Sequence, residues 1–143
     1  MDSIIPITIS RDGTWYYGTS EMFRQEILAL LAKHLEKDSQ GNYFINYKDQ
    51  IHPVAVEHTP YVAKGIKNIN SKEILLQLTD SRVVGVSPQT LFFQNNVPYA
   101  TFRWKHDTRL SRQALWDLSD YLQEKDGSFF LFLDGSTYPL ETN

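Results

Sequence analysis

Residues Phe23 to Pro53 read FRQEILALLAKHLEKDSQGNYFINYKDQIHP, and residues Ser111 to Pro139 read SRQALWDLSDYLQEKDGSFFLFLDGSTYP. At a single offset of 88 positions, Arg24-Gln25 aligns with Arg112-Gln113 and Lys37-Asp38 aligns with Lys125-Asp126. A turn that is two residues shorter then brings Tyr43-Phe44 onto Phe129-Phe130 and Pro53 onto Pro139. Paired matches at one offset indicate an internal duplication rather than a chance likeness between two amphipathic helices.

The composition is that of an ordinary globular protein. The chain has 143 residues, of which 41% are hydrophobic and 22% charged, so it is long enough to bury a core. A net charge of −3 argues against general binding to DNA or to anionic membranes, which requires many cations on one surface. The absence of cysteine excludes thiol catalysis, disulfides and cysteine-ligated metals.

The first ten residues, MDSIIPITIS, lack the basic region and the continuous apolar run of a signal peptide. No segment approaches the roughly 20 apolar residues that a membrane-spanning helix needs. We therefore expect a soluble, cytoplasmic protein.

Local signals predict two helices and many short strands. Asp12-Gly13 between apolar runs indicates a β-hairpin. The first helix is expected to begin at Thr19 or Ser20, and its apolar stripe comprises Phe23, Ile27, Leu30, Leu31 and Leu35. The second helix is expected to begin near Asp107 or Thr108, with Leu110, Ala114, Leu118 and Tyr121 on one face. Between them, Pro53 to Leu91 reads as a meander of antiparallel strands.

Together these signals predict an α+β protein with two similar halves, each an antiparallel β-sheet with one amphipathic helix. The predicted halves are residues 1–58, with a β-hairpin, helix and strand, and residues 59–143, with the meander and the second helix. No Gly/Ser-rich or Pro-rich linker separates them. We therefore expect the halves to pack on each other and to leave a seam.

Several stretches resemble the bacterial family called domain of unknown function 1285. They are Arg11-Asp12-Gly13-Thr14-Trp15 followed by Gly18 and Arg24, then Val56 to Ala63, then Val97-Pro98-Tyr99 with Arg103, and Leu110-Ser111-Arg112. The resemblance extends over nearly the whole chain. It implies a duplicated core, a C-terminal half similar to pleckstrin-homology-like domains, and a ligand site between the halves. Nucleotide-like ligands and a signalling role are further implications, and the family has no assigned activity.

The stretch from Thr101 to Gln113 is the most basic part of the sequence, with four cationic side chains against Asp107 alone. Arg109 and Arg112 lie near the predicted start of the second helix, where the helix dipole attracts anions, and Arg24 is placed alike in the first repeat. We hypothesise a phosphate- or carboxylate-binding seam. Its cations would be Arg24, Arg103, Arg109 and Arg112, and the rings that could stack on a ligand would be Tyr61, Trp15 and Trp104.

A structural interpretation competes with this one. The same arginines could pair with carboxylates across the two halves, since the chain has 17 acidic residues. Trp15 and Trp104 are equally well explained as core or interface residues.

The sequence contains no recognisable catalytic motif: G-x-S-x-G, H-E-x-x-H, the P-loop and G-x-G-x-x-G are all missing. The four histidines show no metal-ligand spacing, so we expect neither a metal nor a cofactor. The preferred interpretation is a non-catalytic regulatory module for an anionic ligand, with nucleotide-like molecules among the candidates. The alternatives are a protein-interaction module that uses a sheet edge or exposed aromatics, and an enzyme whose site the sequence does not reveal.

Overall fold

The computed structural model describes residues 5–142, which form two compact units whose boundary lies between Pro60 and Tyr61. Within unit 1 the described elements are β1 Ile7–Ile9, β2 Trp15–Tyr17, β3 Ser20–Glu21, α1 Gln25–Lys33, β4 Leu35–Lys37, β5 Tyr43–Tyr47 and β6 Gln50–Val56. They form one sheet of order β3-β2-β1-β6-β5-β4.

The predicted hairpin is present as β1 and β2, joined by the turn that contains Gly13. Gly13 has a φ of 88°, a conformation that glycine adopts without a steric penalty. β1 lies at the centre of the sheet, antiparallel to β2 and parallel to β6. Side chains alternate along β1, and Ile7 and Ile9 point into the core of unit 1.

α1 begins later than the sequence predicted. Its N-cap is Arg24, because Ser20 and Glu21 pair with β2 as a strand instead of capping a helix. The helix buries Leu28 and Ala32. Three members of the predicted apolar stripe are exposed instead, namely Phe23, Ile27 and Leu30. Leu35, the last member of that stripe, is buried as the first residue of β4.

Unit 2 begins with the predicted meander and continues with a second copy of the pattern in unit 1. Its described elements are β7 Tyr61–Ile69, β8 Ile74–Leu78, β9 Val83–Val86, β10 Phe92–Gln94, β11 Val97–Ala100, β12 Thr108–Leu110, α2 Arg112–Leu118, β13 Leu122–Lys125, β14 Ser128–Leu133, β15 Ser136–Pro139 and β16 Glu141–Thr142. One sheet has the order β16-β10-β11-β12-β7-β8-β9, and a second has the order β13-β14-β15.

The duplication is visible in strand order and in register. The order β3-β2-β1-β6 of unit 1 matches β12-β11-β10-β16 of unit 2. Phe44 faces Pro53 across β5 and β6, and 86 positions later Phe130 faces Pro139 across β14 and β15. The two copies differ in one strand, since the continuous β6 corresponds to β15 and β16 with Leu140 between them. The meander β7-β8-β9 is an insertion, and it joins the second copy through parallel pairing of β7 with β12.

The predicted α+β class with two similar halves is therefore confirmed. The larger sheets are mixed rather than purely antiparallel, because β1 pairs with β6, β10 with β16, and β12 with β7 in parallel. The offset of 88 holds up to the start of each helix and is lost within it. Leu28 is buried, whereas Trp116, its partner at that offset, is 74% exposed.

α2 also begins later than predicted. Thr108 lies in β12, and the N-cap is Ser111, whose hydroxyl oxygen accepts a hydrogen bond from the N–H of Ala114 at 3.1 Å. α2 buries Ala114 and Leu118, as the sequence predicted. No helix among the described residues is both long enough and apolar enough to cross a membrane.

Candidate functional site

The seven residues predicted to form one site occupy four separate places. Trp15 lies in the core of unit 1, and Arg24 lies at the start of α1. Within unit 2, Tyr61 contacts Arg103 and Trp104, whereas Arg109 and Arg112 line a different cleft.

Trp15 is a core residue. It is 2% exposed, and its carbonyl oxygen accepts a hydrogen bond from the N–H of Met22 at 2.8 Å. Its indole therefore has no free face on which a ligand could stack, and it takes no part in the candidate site.

Tyr61, Trp104 and Arg103 form a stack inside unit 2. The rings of Tyr61 and Trp104 are nearly parallel, with centroids 6.0 Å apart, and the guanidinium of Arg103 lies 4.5 Å from the centroid of Trp104. Arg103 also donates a hydrogen bond from Nη1 to the Tyr61 hydroxyl at 3.2 Å. Burial is the main reason that the pKa of Tyr61 lies above its ordinary value of 10.0.

The same stack contains an ion pair that the sequence did not suggest. Arg82 donates from Nη2 to Asp80 at 2.9 Å, and its guanidinium lies 5.8 Å from the ring centroids of Tyr61 and Phe102. Since Asp80 is buried, the pair is well shielded from solvent. Tyr61 is thus surrounded by protein groups, and the stack is a structural element rather than a platform for a ligand.

Asp107 holds the loop that carries Arg103 and Trp104. Its carboxylate accepts hydrogen bonds from the backbone N–H groups of Phe102, Arg103 and Trp104, each at 2.8 Å, and from the Thr108 hydroxyl at 3.0 Å. Asp107 was predicted as a candidate cap for the second helix. The structure shows that it caps its own preceding loop instead.

Arg109 and Arg112 lie on adjacent elements and line one cleft of about 360 Å³, which we call the C-terminal cleft. Arg109 is half-buried in β12, and Arg112 is exposed at the first position of α2. The rest of the lining is neutral: Asn96, Val97, Pro98, Leu110, Ser111 and Leu115. The cleft thus combines two guanidinium groups with an apolar wall and has no carboxylate in its lining.

The helix dipole contributes less here than the sequence suggested. α2 has only seven residues, and the hydroxyl of its N-cap Ser111 already accepts the N–H of Ala114. The side chain of Arg112 makes no hydrogen bond or ion pair with another residue among those that the structure describes. Any attraction of the cleft for an anion therefore rests on the two guanidinium groups.

Unit 1 contains a counterpart of this cleft, which we call the N-terminal cleft. It has a volume of about 240 Å³ and is lined by Glu21, Met22, Phe23, Arg24 and Ile27. Each of these residues lies 88 positions before a lining residue of the C-terminal cleft, so the two clefts are duplicates. Their charges differ, because Glu21 stands where the second copy has Arg109.

The largest of the described clefts, about 440 Å³, was not anticipated from the sequence. It lies in unit 2 between the second half of β7 and the end of α2, and we call it the Trp116 cleft. Six of its lining residues are Ile66, Lys67, Trp116, Asp117, Asp120 and Tyr121. The signal that could have found Trp116 is its position off the predicted apolar face of Leu110, Ala114 and Leu118. No group of three or more metal-ligating side chains occurs among residues 5–142.

Among known proteins, similarity to this chain is found at the level of the fold and not at the level of the sequence. No family model matches the sequence, and no curated protein matches it. A DUF1285 family protein from Silicibacter pomeroyi DSS-3 superposes with a TM-score of 0.72 at 21% identity, covering 95% of this chain and 79% of that chain. A DUF1285 family protein from Shewanella baltica OS155 gives 0.69 at 16% identity, covering 82% and 94%.

The predicted resemblance to DUF1285, the domain of unknown function 1285, is confirmed by these two structures. At such identities the likeness shows the fold alone. It assigns no ligand, activity or partner.

Proposed function

We propose that this protein is a non-catalytic binding module for a small organic anion, and that the ligand binds in the C-terminal cleft. The observation that carries the proposal is the lining of that cleft, in which Arg109 and Arg112 are accompanied by neutral residues only. A guanidinium forms strong, directional hydrogen bonds with carboxylate and phosphate oxygens.

Size and polarity narrow the class of ligand. A volume of about 360 Å³ falls in the range of small-molecule sites. Val97, Pro98, Leu110 and Leu115 would contact an apolar body, while the two arginines would bind a carboxylate or phosphate at one end. Among the lining residues none is aromatic, so a nucleotide would be recognised through its phosphate and not by base stacking.

Binding of this ligand would give the protein a regulatory role. A module that binds an anion without transforming it can report the ligand concentration to a partner. A site between the two halves, as the family resemblance implies, stays a prediction.

The proposal is tested by thermal unfolding in the presence of aliphatic carboxylates, alkyl phosphates and nucleotides at fixed ionic strength. A ligand at 100 times its Kd stabilises the native state by about 2.7 kcal/mol, or roughly 6–10 °C for a chain of this length. Neutral amides and alcohols of the same shape should give no shift. The proposal fails if no anion shifts the transition more than its neutral analogue does.

The duplication supplies a matched pair of variants. Arg112→Gln removes a cation from the C-terminal cleft and should weaken binding about 10- to 100-fold, the usual cost of a lost charge-assisted hydrogen bond. Arg24→Gln makes the same change at the corresponding position of the N-terminal cleft and should leave binding unchanged. Equal losses in the two variants would show that the effect is one of net charge and would contradict the assignment.

A further inference from the structure

Trp116 is an unusual surface residue. It is 74% exposed, whereas Trp15 is buried and Trp104 is half-buried. α2 directs Ala114 and Leu118 into the core, which leaves the indole of Trp116 on the outer side of the helix. An indole is among the largest apolar groups in proteins, and burying it against a partner would remove a large area from water.

The surroundings of Trp116 decide what kind of partner fits. Asp117 and Asp120 line the same cleft and are opposed by one cation, Lys67, so the lining carries a net charge of −1. Asp117 is held in place, because it accepts hydrogen bonds from the Ile66 N–H at 3.0 Å and from the Gln113 side-chain amide at 2.8 Å.

Asp120 is in a different position. It is exposed, and its carboxylate makes no hydrogen bond or ion pair with any residue in the described part of the chain. Its carboxylate is therefore available to a cation that lies against the indole of Trp116.

We propose that the Trp116 cleft docks a basic segment of a partner protein. The aliphatic stem of a lysine or arginine would lie over Trp116 and along Ile66, and its charged end would meet Asp120. An exposed indole attracts a cation by its quadrupole, and long basic side chains cover apolar surface with their methylene groups. A free small amine would leave most of the indole of Trp116 uncovered, so the cleft suits a peptide side chain with a long methylene stem better. This inference is independent of the anion proposed for the C-terminal cleft.

The test measures binding of the peptide acetyl-Gly-Lys-Gly-Lys-Gly-amide by tryptophan fluorescence and calorimetry at physiological ionic strength. A peptide with norleucine in place of lysine provides the neutral comparison, and spermidine represents a free amine. We expect saturable binding of the lysine peptide that is at least about fivefold tighter than that of either comparison, since a partly desolvated cation–π contact is worth roughly that factor.

The variants are Asp120→Asn, which should weaken binding about two- to fivefold, and Trp116→Ala, which should weaken it about fivefold or more. Asp126→Asn is the matched control, because it makes the same change in charge on the β13–β14 turn, outside the cleft, and should have no effect.

Two results would overturn the proposal. If the norleucine peptide or spermidine binds as tightly as the lysine peptide, the occupant is not a basic segment. If Asp126→Asn weakens binding as much as Asp120→Asn does, the peptide senses only the net charge of the protein. Circular dichroism of each variant confirms that the fold is intact, which is expected because Trp116 and Asp120 are exposed.

Discussion

Arg109 of β12 and Arg112 of α2 line the same cleft, although they belong to different elements and are separated by Leu110 and the N-cap Ser111. Two arginines that bind the same carboxylate or phosphate depend on each other, so their contributions to the binding free energy should not be additive. Arg109→Gln and Arg112→Gln should each weaken anion binding, and the double variant should differ from the sum of the two by at least about 0.5 kcal/mol. Calorimetry of the four proteins gives this coupling. Additivity within about 0.3 kcal/mol would show that the two guanidinium groups do not share a ligand.

Substitution of Asp107 should lower the stability of the protein strongly. Asp107→Asn replaces one carboxylate oxygen by an amide nitrogen, which would then face backbone N–H donors. We expect a loss of about 2 kcal/mol or more in the free energy of unfolding, measured with urea. Asp134→Asn, which affects one exposed hydrogen bond to the Ser71 N–H, should cost much less. A small effect of Asp107→Asn would mean that the loop from Thr101 to Thr108 is held by other contacts.

Tyr61 should make stability sensitive to alkaline pH. Burial raises the pKa of its hydroxyl in the folded protein above the ordinary value of 10.0, so the native state holds the proton more tightly than the unfolded chain does. This contribution is complete below pH 10 and is lost as the pH rises through the higher pKa of the folded state. Tyr61→Phe should reduce the loss of stability above pH 10, as measured by urea unfolding at several pH values. An unchanged slope would show that other groups dominate the alkaline transition.

Two turn residues allow a test of backbone strain. Asp49 has a φ of 62° in the tight turn between β5 and β6, a conformation that costs an ordinary residue roughly 1 kcal/mol. Asp49→Gly should therefore stabilise the protein by about 0.5 kcal/mol after the larger chain entropy of glycine is counted. Gly41→Ala should destabilise it by about 1 kcal/mol. Gly41 has a φ of 87° and open space around its missing Cβ, so strain rather than a clash would be the cause. Urea unfolding of both variants checks the two signs.

Features written in short stretches of sequence could be predicted well. Asp12-Gly13 identified the first hairpin, and the duplication was readable because its matched residues lie at equivalent places, as Phe44 with Pro53 and Phe130 with Pro139 show. Arg109 and Arg112 are three positions apart and line one cleft, and their role as a ligand site stays a prediction.

Features that depend on distant parts of the chain could not be predicted. Ser20 and Glu21 have the side chains of a helix start, but pairing with β2 outweighs that local preference. Tyr61 is the first residue of β7, and Trp104 lies in the loop before β12. They meet because the two strands pair in parallel, which no local sequence pattern indicates. Phe23 precedes α1, and Ile27 lies on its exposed side, so periodicity alone showed neither where the helix begins nor which of its faces meets the core.

Because β7 is inserted beside β12, the strands that carry the two clefts differ in how many neighbouring strands they are hydrogen-bonded to. β12 lies between β11 and β7 and is hydrogen-bonded on both sides, whereas β3, its counterpart, is the outermost strand of its sheet. Amide hydrogens of Thr108–Leu110 should therefore exchange with solvent more slowly than those of Ser20–Glu21. The backbone under Arg109 is held before any ligand arrives, so less conformational entropy is lost on binding there than at Glu21. Of the two duplicated clefts, the C-terminal one should therefore have the more rigid backbone.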